Sequence, residues 1–440
     1  MRRAINFLGS LAPRSSPTGN LWRQTAFLKL WAASTISQAG SQVSLLALPL
    51  TAVLVLGAAP AQMGLLVAAG EVPSLLFGLF AGAWVDRLRR RPLLIAADVG
   101  RALLYGSIPT AALLGRLQIG QLYLVAFSGG ALGVLSGVAS GAFLPSVVAP
   151  EQLVEANSRF QATRSAAQVV GPGLAGVLVQ ALTAPVAVAV DALSYVVSAF
   201  LLGRLRTPEP ASPGRSRPAI WRQIAEGIRV TLHHPLLGWI ALATVLGGFF
   251  DSAFFSQYTL YVTRELGLAP SALGAIFALG GSGGIVGAVL AEQAARRIGV
   301  GPAIVTGVLL IGIGDAVIPL ASFFPTMAGP LLAAAELVVV FGATTFGVNQ
   351  ASLLQAIVPD RLRGRVNATM RVTGGAAGTL GPLAGGIVAT AIGLRPLFLI
   401  AGPCTAIAGI LLLRSPVWRV RTLSASVMAV APERVHEGTA

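Results

Sequence analysis

Apolar residues fill most of the chain in long stretches, and short polar segments rich in arginine separate one stretch from the next. A bilayer core about 30 Å thick needs roughly 20 apolar residues per spanning helix. The stretches reach that length without the apolar–polar alternation of barrel strands, so they predict membrane helices. About twelve of them can be counted on this rule, near residues 27–56, 61–85, 93–114, 119–148, 156–182, 184–203, 236–262, 270–295, 302–322, 326–356, 366–391 and 395–413.

The composition agrees with a polytopic membrane protein. Of the 440 residues, 55% are hydrophobic and 11% are charged, whereas an average soluble domain has about 25% charged residues. This balance excludes a soluble globular domain, which could not hide so much apolar surface, and a disordered chain, which needs high charge. A single cysteine, Cys404, and three histidines leave no disulfide framework and no zinc-ligand set, so we expect neither a metal nor a cofactor.

The charge distribution predicts the orientation in the membrane. The net charge is +15, and nearly all arginines flank one set of span ends, while the opposite set carries Arg116, Arg264 and Arg395. Under the positive-inside rule, this asymmetry places both termini in the cytoplasm of a multi-pass inner-membrane protein. Basic residues that serve as topology signals need no nucleic acid, so the lipid bilayer is the expected partner.

A hydrophilic linker divides the chain into two halves. Its first part, 207–218, is rich in proline, serine and arginine, which is typical of a linker. Its second part places Ile220, Ile224, Ile228 and Leu232 at four-residue spacing. This spacing predicts an amphipathic helix along the cytoplasmic face. The predicted organisation is a cytoplasmic tail, a six-helix bundle, the linker, a second six-helix bundle and a cytoplasmic tail, with bounds 1–26, 27–203, 204–235, 236–413 and 414–440.

The two halves repeat one another at a constant shift of 210 positions. Pro60 matches Pro270 and Asn157 matches Asn367, and the matches continue from the early spans to the late ones. A single ungapped shift over this length is not expected by chance. The predicted fold is therefore an all-α membrane protein with about twelve transmembrane helices in two pseudo-symmetric six-helix bundles, the plan of a transporter whose halves rock about a central site.

The loop after the second span carries a motif with one carboxylate beside a cluster of arginines, Gly82-Ala-Trp-Val-Asp86-Arg87-Leu-Arg-Arg90-Arg91. A carboxylate here can cap the N-terminus of a neighbouring helix and pair with arginine. The motif resembles the signature loop between spans 2 and 3 of the major facilitator superfamily, although that pattern often has a turn glycine where this chain has a further arginine. The resemblance implies a conformational latch in which Asp86 acts against span 11. The alternative is a basic topology signal without a latch. The latch residues would be Gly82, Asp86, Arg87, Arg90 and Arg91.

Two spans contain a Gly-Pro sequence followed by another glycine. A proline inside a helix frees a carbonyl and bends the helix, and the glycines permit close helix contact. The sequences resemble the signature of the superfamily's drug/proton antiporters, which export their substrates. The alternative is a kink that serves packing alone. The residues are Gly171, Pro172 and Gly176 in span 5, and Gly381, Pro382 and Gly386 in span 11.

Further passages resemble the macrolide-efflux and siderophore-exporter branch, among them Leu30-Trp31, Glu226-Gly-Ile-Arg229 and Gly364-Arg365. The resemblance covers nearly the whole chain. It implies a secondary active exporter of an amphipathic small molecule that is coupled to protons and acts as a monomer. The span-4 arginine that some antiporters use for coupling has no counterpart between 125 and 138. Two alternatives stay open: an importer or symporter on the same fold, and a non-transporting membrane sensor or enzyme, for which the spans offer no convergent catalytic set.

Five of the acidic residues inside predicted spans, where a charge costs at least about 2.5–3.5 kcal/mol, are candidates for a functional role. Glu71 precedes Asp86 by 15 residues, a rise of roughly 22 Å at about 1.5 Å per residue, which places it near the membrane centre. Such an acid can bind and release protons in a cavity that opens alternately, or pair with a cationic substrate. The alternative for each is a structural hydrogen bond. The candidates are, in order, Glu71 and Asp251, then Glu336 and Asp315, and then Asp191.

Two further patterns concern packing inside the bundles. Glycines recur at four-residue spacing in span 4 and at similar spacing in span 8, which predicts two seams where helix backbones approach closely. Asp98 and Arg101, one turn apart in span 3, are predicted to form a structural ion pair. The seam glycines are Gly129, Gly133, Gly137 and Gly141 in span 4, and Gly280, Gly284 and Gly287 in span 8.

Overall fold

The computed structural model describes residues 21–78, 80–207 and 220–422, and the regular elements of these residues are helices. Most of the predicted tails 1–26 and 414–440, and most of the first part of the linker, lie outside the described residues. The α-helices are α1 Thr25–Leu54, α2 Pro60–Phe77, α3 Ala81–Val85, α4 Arg90–Leu113, α5 Ile119–Phe143, α6 Leu153–Leu182, α7 Ala184–Gly203, α8 Ile220–His233, α9 Leu237–Leu260, α10 Pro270–Ile298, α11 Val300–Val317, α12 Ala328–Ile357, α13 Asp360–Ile392 and α14 Leu394–Leu413.

The long helices account for the predicted spans. Within the described residues, ten helical segments are long and apolar enough to cross a membrane. Helices α1 and α4, with 30 and 24 residues, are not among these ten, but they pack in the same bundles. The prediction of an all-helical membrane fold with about twelve spanning helices is therefore confirmed.

The predicted repeat is visible in the helix bounds. Helices α2 and α10 begin at Pro60 and Pro270, and α4 and α11 begin at Arg90 and Val300, in each case 210 positions apart. Helices α7 and α14 are related in the same way at both ends. Six long helices from α1 to α7 form one bundle, the N-half, and the six from α9 to α14 form the other, the C-half.

Arginine side chains gather at one end of the molecule. Arg91 at the start of α4 donates hydrogen bonds to the Leu202 and Gly203 carbonyl oxygens of α7, at 3.0 and 2.5 Å. Lys29 near the start of α1 donates to the Arg204 carbonyl oxygen at 3.2 Å. Cations at helix C-termini complement the helix dipole and its unpaired carbonyls. We call this end, where α1, α4, α6, α9, α11 and α13 begin, the basic end, and the other the opposite end.

Buried apolar side chains form three clusters that show where the halves separate. The largest contains residues of both halves, such as Leu50 and Met63 together with Tyr261 and Phe398, and lies toward the opposite end. The other two lie toward the basic end, and each contains residues of one half alone. The halves therefore share a core at the opposite end and keep separate cores at the basic end.

The second predicted span is interrupted, which corrects the expectation of one continuous helix over 61–85. Helix α2 ends at Phe77, and the chain resumes helical structure only in the short α3. Gly78 and Gly82 lie on either side of the break, and glycine is a poor helix former because it loses the most backbone freedom on folding. The interruption places the predicted latch motif on α3 and the turn after it.

The amphipathic helix predicted in the linker is present as α8, and it packs against the C-half. Glu226 forms an ion pair with Arg365 near the start of α13. A Cβ atom built on Gly227 would lie 2.5 Å from both the Arg365 carbonyl oxygen and the Thr369 hydroxyl oxygen. Only a glycine permits this approach. Helix α8 is thus docked on α13, which also contacts α2 of the N-half.

Candidate functional site

The glycines that follow the two Gly-Pro sequences lie where the halves cross. Helix α6 crosses α10, and a Cβ atom built on Gly176 would lie 2.7 Å from the Pro270 carbonyl oxygen and 2.8 Å from the Gly274 Cα. Helices α13 and α2 make the symmetric crossing, where a Cβ atom on Gly386 would lie 2.8 Å from the Pro60 carbonyl oxygen. Both contacts are with backbone atoms, so a side chain at either glycine would push the helices apart.

The other residues of the Gly-Pro sequences also belong to helix contacts. Pro172 and Pro382 lie inside α6 and α13. Gly171 packs against Gln42 of α1, and Gly381 packs against α9. The structure thus brings the predicted residues to packed helix surfaces at and beside the crossings of the halves. Their part in export stays a prediction.

Hydrogen bonds between the halves accompany the crossings at the opposite end. The Gln257 side chain of α9 donates to the Pro60 carbonyl oxygen at 3.2 Å. The Ala61 N–H donates to the Thr390 hydroxyl oxygen at 3.1 Å. Arg264, in a π-helical turn after α9, donates to a carbonyl oxygen in the last turn of α1 at 3.4 Å. These bonds hold the two halves together at the opposite end.

A cavity of about 780 Å³, which we call the central cavity, lies between the halves on the basic side of the crossings. Its wall on the C-half is mostly apolar and includes Phe255, Phe277 and Val340. Glu336 of α12 lies in the same wall, with 8% of its surface exposed. Pockets of about 300–1,000 Å³ hold drug-sized ligands. The central cavity therefore fits such a ligand with its apolar part against the C-half.

Three carboxyl groups from three helices of the C-half come together beside the central cavity. Asp251 of α9, Asp315 of α11 and Glu336 of α12 interact electrostatically with one another. In the part of the chain that the structure describes, the charged groups that act on Asp315 and Glu336 include no lysine or arginine. Asp315 is 1% exposed, and its Oδ2 has no hydrogen-bond partner among the described residues. We call these three side chains the carboxyl cluster.

Glu71, the other first-ranked acid, has no interaction with the carboxyl cluster among the described residues. It is on α2 one turn after Val67, which lines the central cavity, and its side chain is exposed. A Cβ atom built on Gly378 of α13 would lie 3.9 Å from the Glu71 Oε2. Its carboxyl group is therefore beside the α2–α13 crossing. The structure separates the two acids that ranked together and groups Asp251 with the two ranked next.

Asp191 belongs to a polar network inside the N-half. Its carboxyl group accepts a hydrogen bond from the Ser194 hydroxyl at 3.3 Å and interacts electrostatically with Arg101. The Arg101 guanidinium donates to Asp98 at 2.6 Å and to the Ser136 hydroxyl at 3.0 Å. The predicted Asp98–Arg101 pair is confirmed. Because this network also contains the cation, Asp191 differs from the carboxyl cluster, where the acids act on one another.

The N-half encloses a second cavity of about 460 Å³, which we call the N-cavity. Arg101 and Asp98 line it, together with serine and glutamine side chains from α1, α5, α6 and α7. The N-cavity adjoins the central cavity, because Gln42, Gln161 and Gln168 line both. A substrate in the central cavity could therefore extend into the N-half.

The lining of the N-cavity contains the functional candidates that the sequence analysis missed. Serine and glutamine inside an apolar span are weak signals, because both are tolerated where they bond to backbone carbonyls. The informative pattern is on α1, where five polar residues recur every one to three positions: Ser34, Ser37, Gln38, Ser41 and Gln42. Arg101 was assigned only to its ion pair, since the sequence does not show that the pair faces a cavity.

The predicted glycine seam of span 4 is wrong for three of its four residues. A Cβ atom built on Gly133, Gly137 or Gly141 would meet nothing within 4 Å, and these glycines line the N-cavity. Gly129 alone makes a close approach, to the Tyr105 ring. The spacing correctly identified one face of α5, but a cavity lies opposite that face instead of a helix. The seam of span 8 is confirmed by its approach to α12, through Gly280, Gly284 and Gly287.

The predicted latch motif lies at the basic end of the N-half. Gly82 is part of α3, and Asp86 follows the last residue of that helix. Arg87 is exposed in the turn, Arg90 begins α4, and Arg91 holds the end of α7. The motif therefore joins α3, α4 and α7. The action of Asp86 against α13 stays a prediction.

Two pseudo-symmetric six-helix bundles that cross closely at one end and enclose cavities toward the other define a secondary transporter. The chain belongs to the Major Facilitator Superfamily, because the model of that family matches residues 30–356. The protein is accordingly a multi-pass membrane transporter of small molecules, and its family is not one of enzymes.

Sequence and structure comparisons agree with this assignment. The chain is 29% identical to the multidrug efflux pump Tap of Mycolicibacterium fortuitum over 391 residues. This alignment covers 86% of this chain and 93% of Tap. Its fold is similar to the inward-facing crystal structure of a bacterial homologue of the iron transporter ferroportin, with a TM-score of 0.71, 19% identity, and coverage of 91% of this chain and 99% of that one. A nucleoside transporter, NupG, gives a TM-score of 0.69 at 12% identity over 88% of this chain and 98% of that one.

Proposed function

We propose that the protein exports amphipathic small molecules across the cytoplasmic membrane by alternating access, coupled to proton entry. The substrates would be drug-like compounds such as macrolides or siderophore-like molecules. The basic end would face the cytoplasm, as the positive-inside rule requires, with both termini on that side. The protein would act as a monomer.

The carboxyl cluster is the observation that carries this proposal. Glu336 lies in the wall of the central cavity, and Asp251 and Asp315 interact with it. Carboxylates that repel one another in a low-dielectric site are costly, and a bound proton relieves that cost. A cationic substrate in the central cavity would relieve the same cost. Proton and substrate would thus compete for one cluster, and such competition is sufficient for exchange.

Two further observations favour export. The named relative Tap is a multidrug efflux pump, and the similarity extends over 86% of this chain. The Gly-Pro sequences, which resemble those of exporting antiporters, lie at and beside the crossings that close the opposite end. A substrate that enters from the basic end would stay in the central cavity until the opposite end opens.

Everted membrane vesicles test direction and coupling together. In such vesicles the basic end faces the medium, so export fills the lumen. We expect vesicles with the protein to accumulate ethidium and radiolabelled erythromycin when the lumen is acidified, and to lose the gain when nigericin collapses the pH gradient. Accumulation that nigericin leaves unchanged would exclude proton coupling, and no accumulation above empty vesicles would exclude export of these probes.

Substitutions within the same assay test the carboxyl cluster. Glu336→Gln keeps the shape of the protonated side chain and removes the titratable group. We expect it to abolish uptake driven by the pH gradient and to preserve downhill exchange of ethidium. Glu292→Gln on α10 is the matched control, because Glu292 is 72% exposed and pairs with Arg296 away from both cavities. Equal rates for wild type and Glu336→Gln would remove the carboxyl cluster from the mechanism.

A further inference from the structure

The N-cavity has the lining of a binding site for oxygen-rich chemical groups. The Arg101 guanidinium has five N–H donors, and its Nη2 is engaged by Asp98 and Ser136. Its Nε donates to the Ala97 carbonyl oxygen at 3.4 Å, and Arg101 lines the cavity. The pair fixes the position of the guanidinium, and Tyr195 supports it, with its ring 4.3 Å away and its hydroxyl in interaction with the guanidinium. A cation held in a fixed position is therefore part of the cavity lining.

Free amide groups continue this polar lining to the junction with the central cavity. Gln42, Gln161 and Gln168 line both cavities, and none of the hydrogen bonds of the described residues uses their side-chain amides. The Gln38 Oε1 is buried in the N-half without a hydrogen-bond partner among the described residues. A buried unpaired atom such as the Gln38 Oε1 costs free energy unless a ligand or water satisfies it, whereas Gln161 and Gln168 are exposed and accessible to either. These amides can both donate to and accept from hydroxyl, ether and carbonyl oxygens.

The wall of α5 leaves room for a bulky polar group. Gly133, Gly137 and Gly141 are successive turns of one helix face, and each would accommodate a Cβ atom with nothing within 4 Å. The central cavity at the other end of the junction is apolar on its C-half side, with Phe255 and Phe277. An amphipathic molecule that bridges the junction would place its polar head in the N-cavity and its apolar body in the central cavity.

We propose that the N-cavity is a subsite for the oxygen-rich head of the substrate, such as a glycosidic or polyhydroxylated group, with Arg101 and the junction glutamines as its hydrogen-bonding residues. This inference rests on the proposed function, because it assigns one part of the exported molecule to one half of the transporter. The substrates it favours carry sugar, hydroxyl or carbonyl oxygens on one side and an apolar body on the other.

Equilibrium binding to the full-length protein in lipid nanodiscs tests the subsite independently of transport. The probes are doxorubicin, which has a neutral planar ring system with quinone oxygens and a glycosidic sugar with an ammonium group, and ethidium, a planar cation without oxygen. We compare wild type with the triple variant Asp98→Asn/Arg101→Gln/Asp191→Asn, which removes the ion pair together with the buried Asp191 carboxyl group that also interacts with Arg101. The expected result is about tenfold or greater loss of doxorubicin affinity, the effect of losing one charge-assisted hydrogen bond, with ethidium affinity within twofold.

A second variant tests the same subsite through its shape. Gly137→Leu fills the N-cavity without removing any charge, and the open space at this position lets it fold. It is expected to weaken doxorubicin binding and to spare ethidium binding. Gly347→Leu on α12 is the matched control, since Gly347 also has nothing within 4 Å and lines neither cavity.

The outcomes separate this inference from the proposed function. Selective loss of doxorubicin binding in both variants supports the subsite even if the vesicles export neither probe, a result that would instead reject the proposed function. The subsite is refuted if wild type fails to bind doxorubicin. It is equally refuted if the variants weaken both probes alike, or if they weaken neither. Export of ethidium with no selective effect would leave an exporter without this subsite.

Discussion

The crossings of the halves predict a large effect for one added methyl group. In Gly386→Ala, the new Cβ atom would lie 2.8 Å from the Pro60 carbonyl oxygen, 3.0 Å from the Ala61 Cα and 3.2 Å from the Gly64 Cα. Favourable contact between such atoms begins at about 3.5 Å, so α13 and α2 must separate by roughly half an ångström. Overpacking of this kind costs about 1–3 kcal/mol.

This cost falls mainly on the conformation in which the opposite end is closed. The hydrogen bonds that join the halves there contribute about 0.5–1.5 kcal/mol each, so the added strain is comparable to what holds the end closed. A difference of about 1–3 kcal/mol changes a conformational equilibrium roughly 5- to 150-fold. We expect Gly386→Ala to populate a conformation with the opposite end open, and to slow transport because the return to the closed state becomes unfavourable.

Distances between spin labels at the opposite end measure this shift. Gln118 before α5 and Thr326 before α12 are exposed at that end, one in each half, and can carry labels as cysteines in a Cys404→Ser background. Gly386→Ala should increase the longer-distance fraction measured by double electron–electron resonance. Gly374→Ala, on the same helix with nothing within 4 Å of its Cβ, should match the unsubstituted protein. Identical distance distributions for both variants would refute the close crossing.

Three other substitutions test separate parts of the molecule. Asp86→Asn should insert normally and slow export severely if the latch acts; unchanged rates in vesicles would reduce the motif to a topology signal. Glu71→Gln should leave gradient-driven export largely intact, because Glu71 has no interaction with the carboxyl cluster among the described residues; abolished export with retained ethidium exchange would make Glu71 the proton carrier instead. Gly227→Leu should undock α8 from α13 and raise the rate of tryptic cleavage in the linker. Glu226→Gln should change that rate little, because exposed ion pairs contribute about 0–1 kcal/mol. Equal cleavage rates in the two variants would contradict the docking.

The length of the hydrophobic stretches and the shift of the repeat were enough to predict the spanning helices and their division into two related halves. The bilayer imposes the length of each span, and the shift of 210 positions reappears in the bounds of α2 and α10 and of α7 and α14. The interruption after Phe77 was not predicted, because an apolar stretch shows that a segment lies in the membrane without showing that it is one helix. The glycines at the break were visible in the sequence, but their spacing also suits close packing.

The arrangement around the cavities could not be read from the sequence for a different reason. Four-residue spacing identifies a face of a helix, but the rotation of that helix in the bundle decides what the face meets. Gly133 and Gly137 on α5 face a cavity, whereas Gly280 and Gly287 on α10 face a helix, although both sets looked alike. Convergence of acids from α9, α11 and α12 depends on three such rotations at once. The sequence could therefore predict candidate acids and could not predict which of them meet.

The internal repeat also allows the residues of the two halves to be compared position by position. At the shift of 210, Ser41 corresponds to Asp251 and Tyr105 corresponds to Asp315. The Ser41 and Tyr105 hydroxyls of the N-half thus stand where the C-half has carboxyl groups.

Equivalent positions in the two halves therefore carry side chains with different chemical properties. In the N-half, the acids Asp98 and Asp191 interact with Arg101, so under the proposed function that half would bind polar groups without a net exchange of protons. In the C-half, the acids of the carboxyl cluster act on one another, so binding there would depend on protons or on a cationic substrate. Symmetry of the frame provides two alternating conformations, and this asymmetry of charge would allow one half to recognise the substrate while the other couples its release to protons.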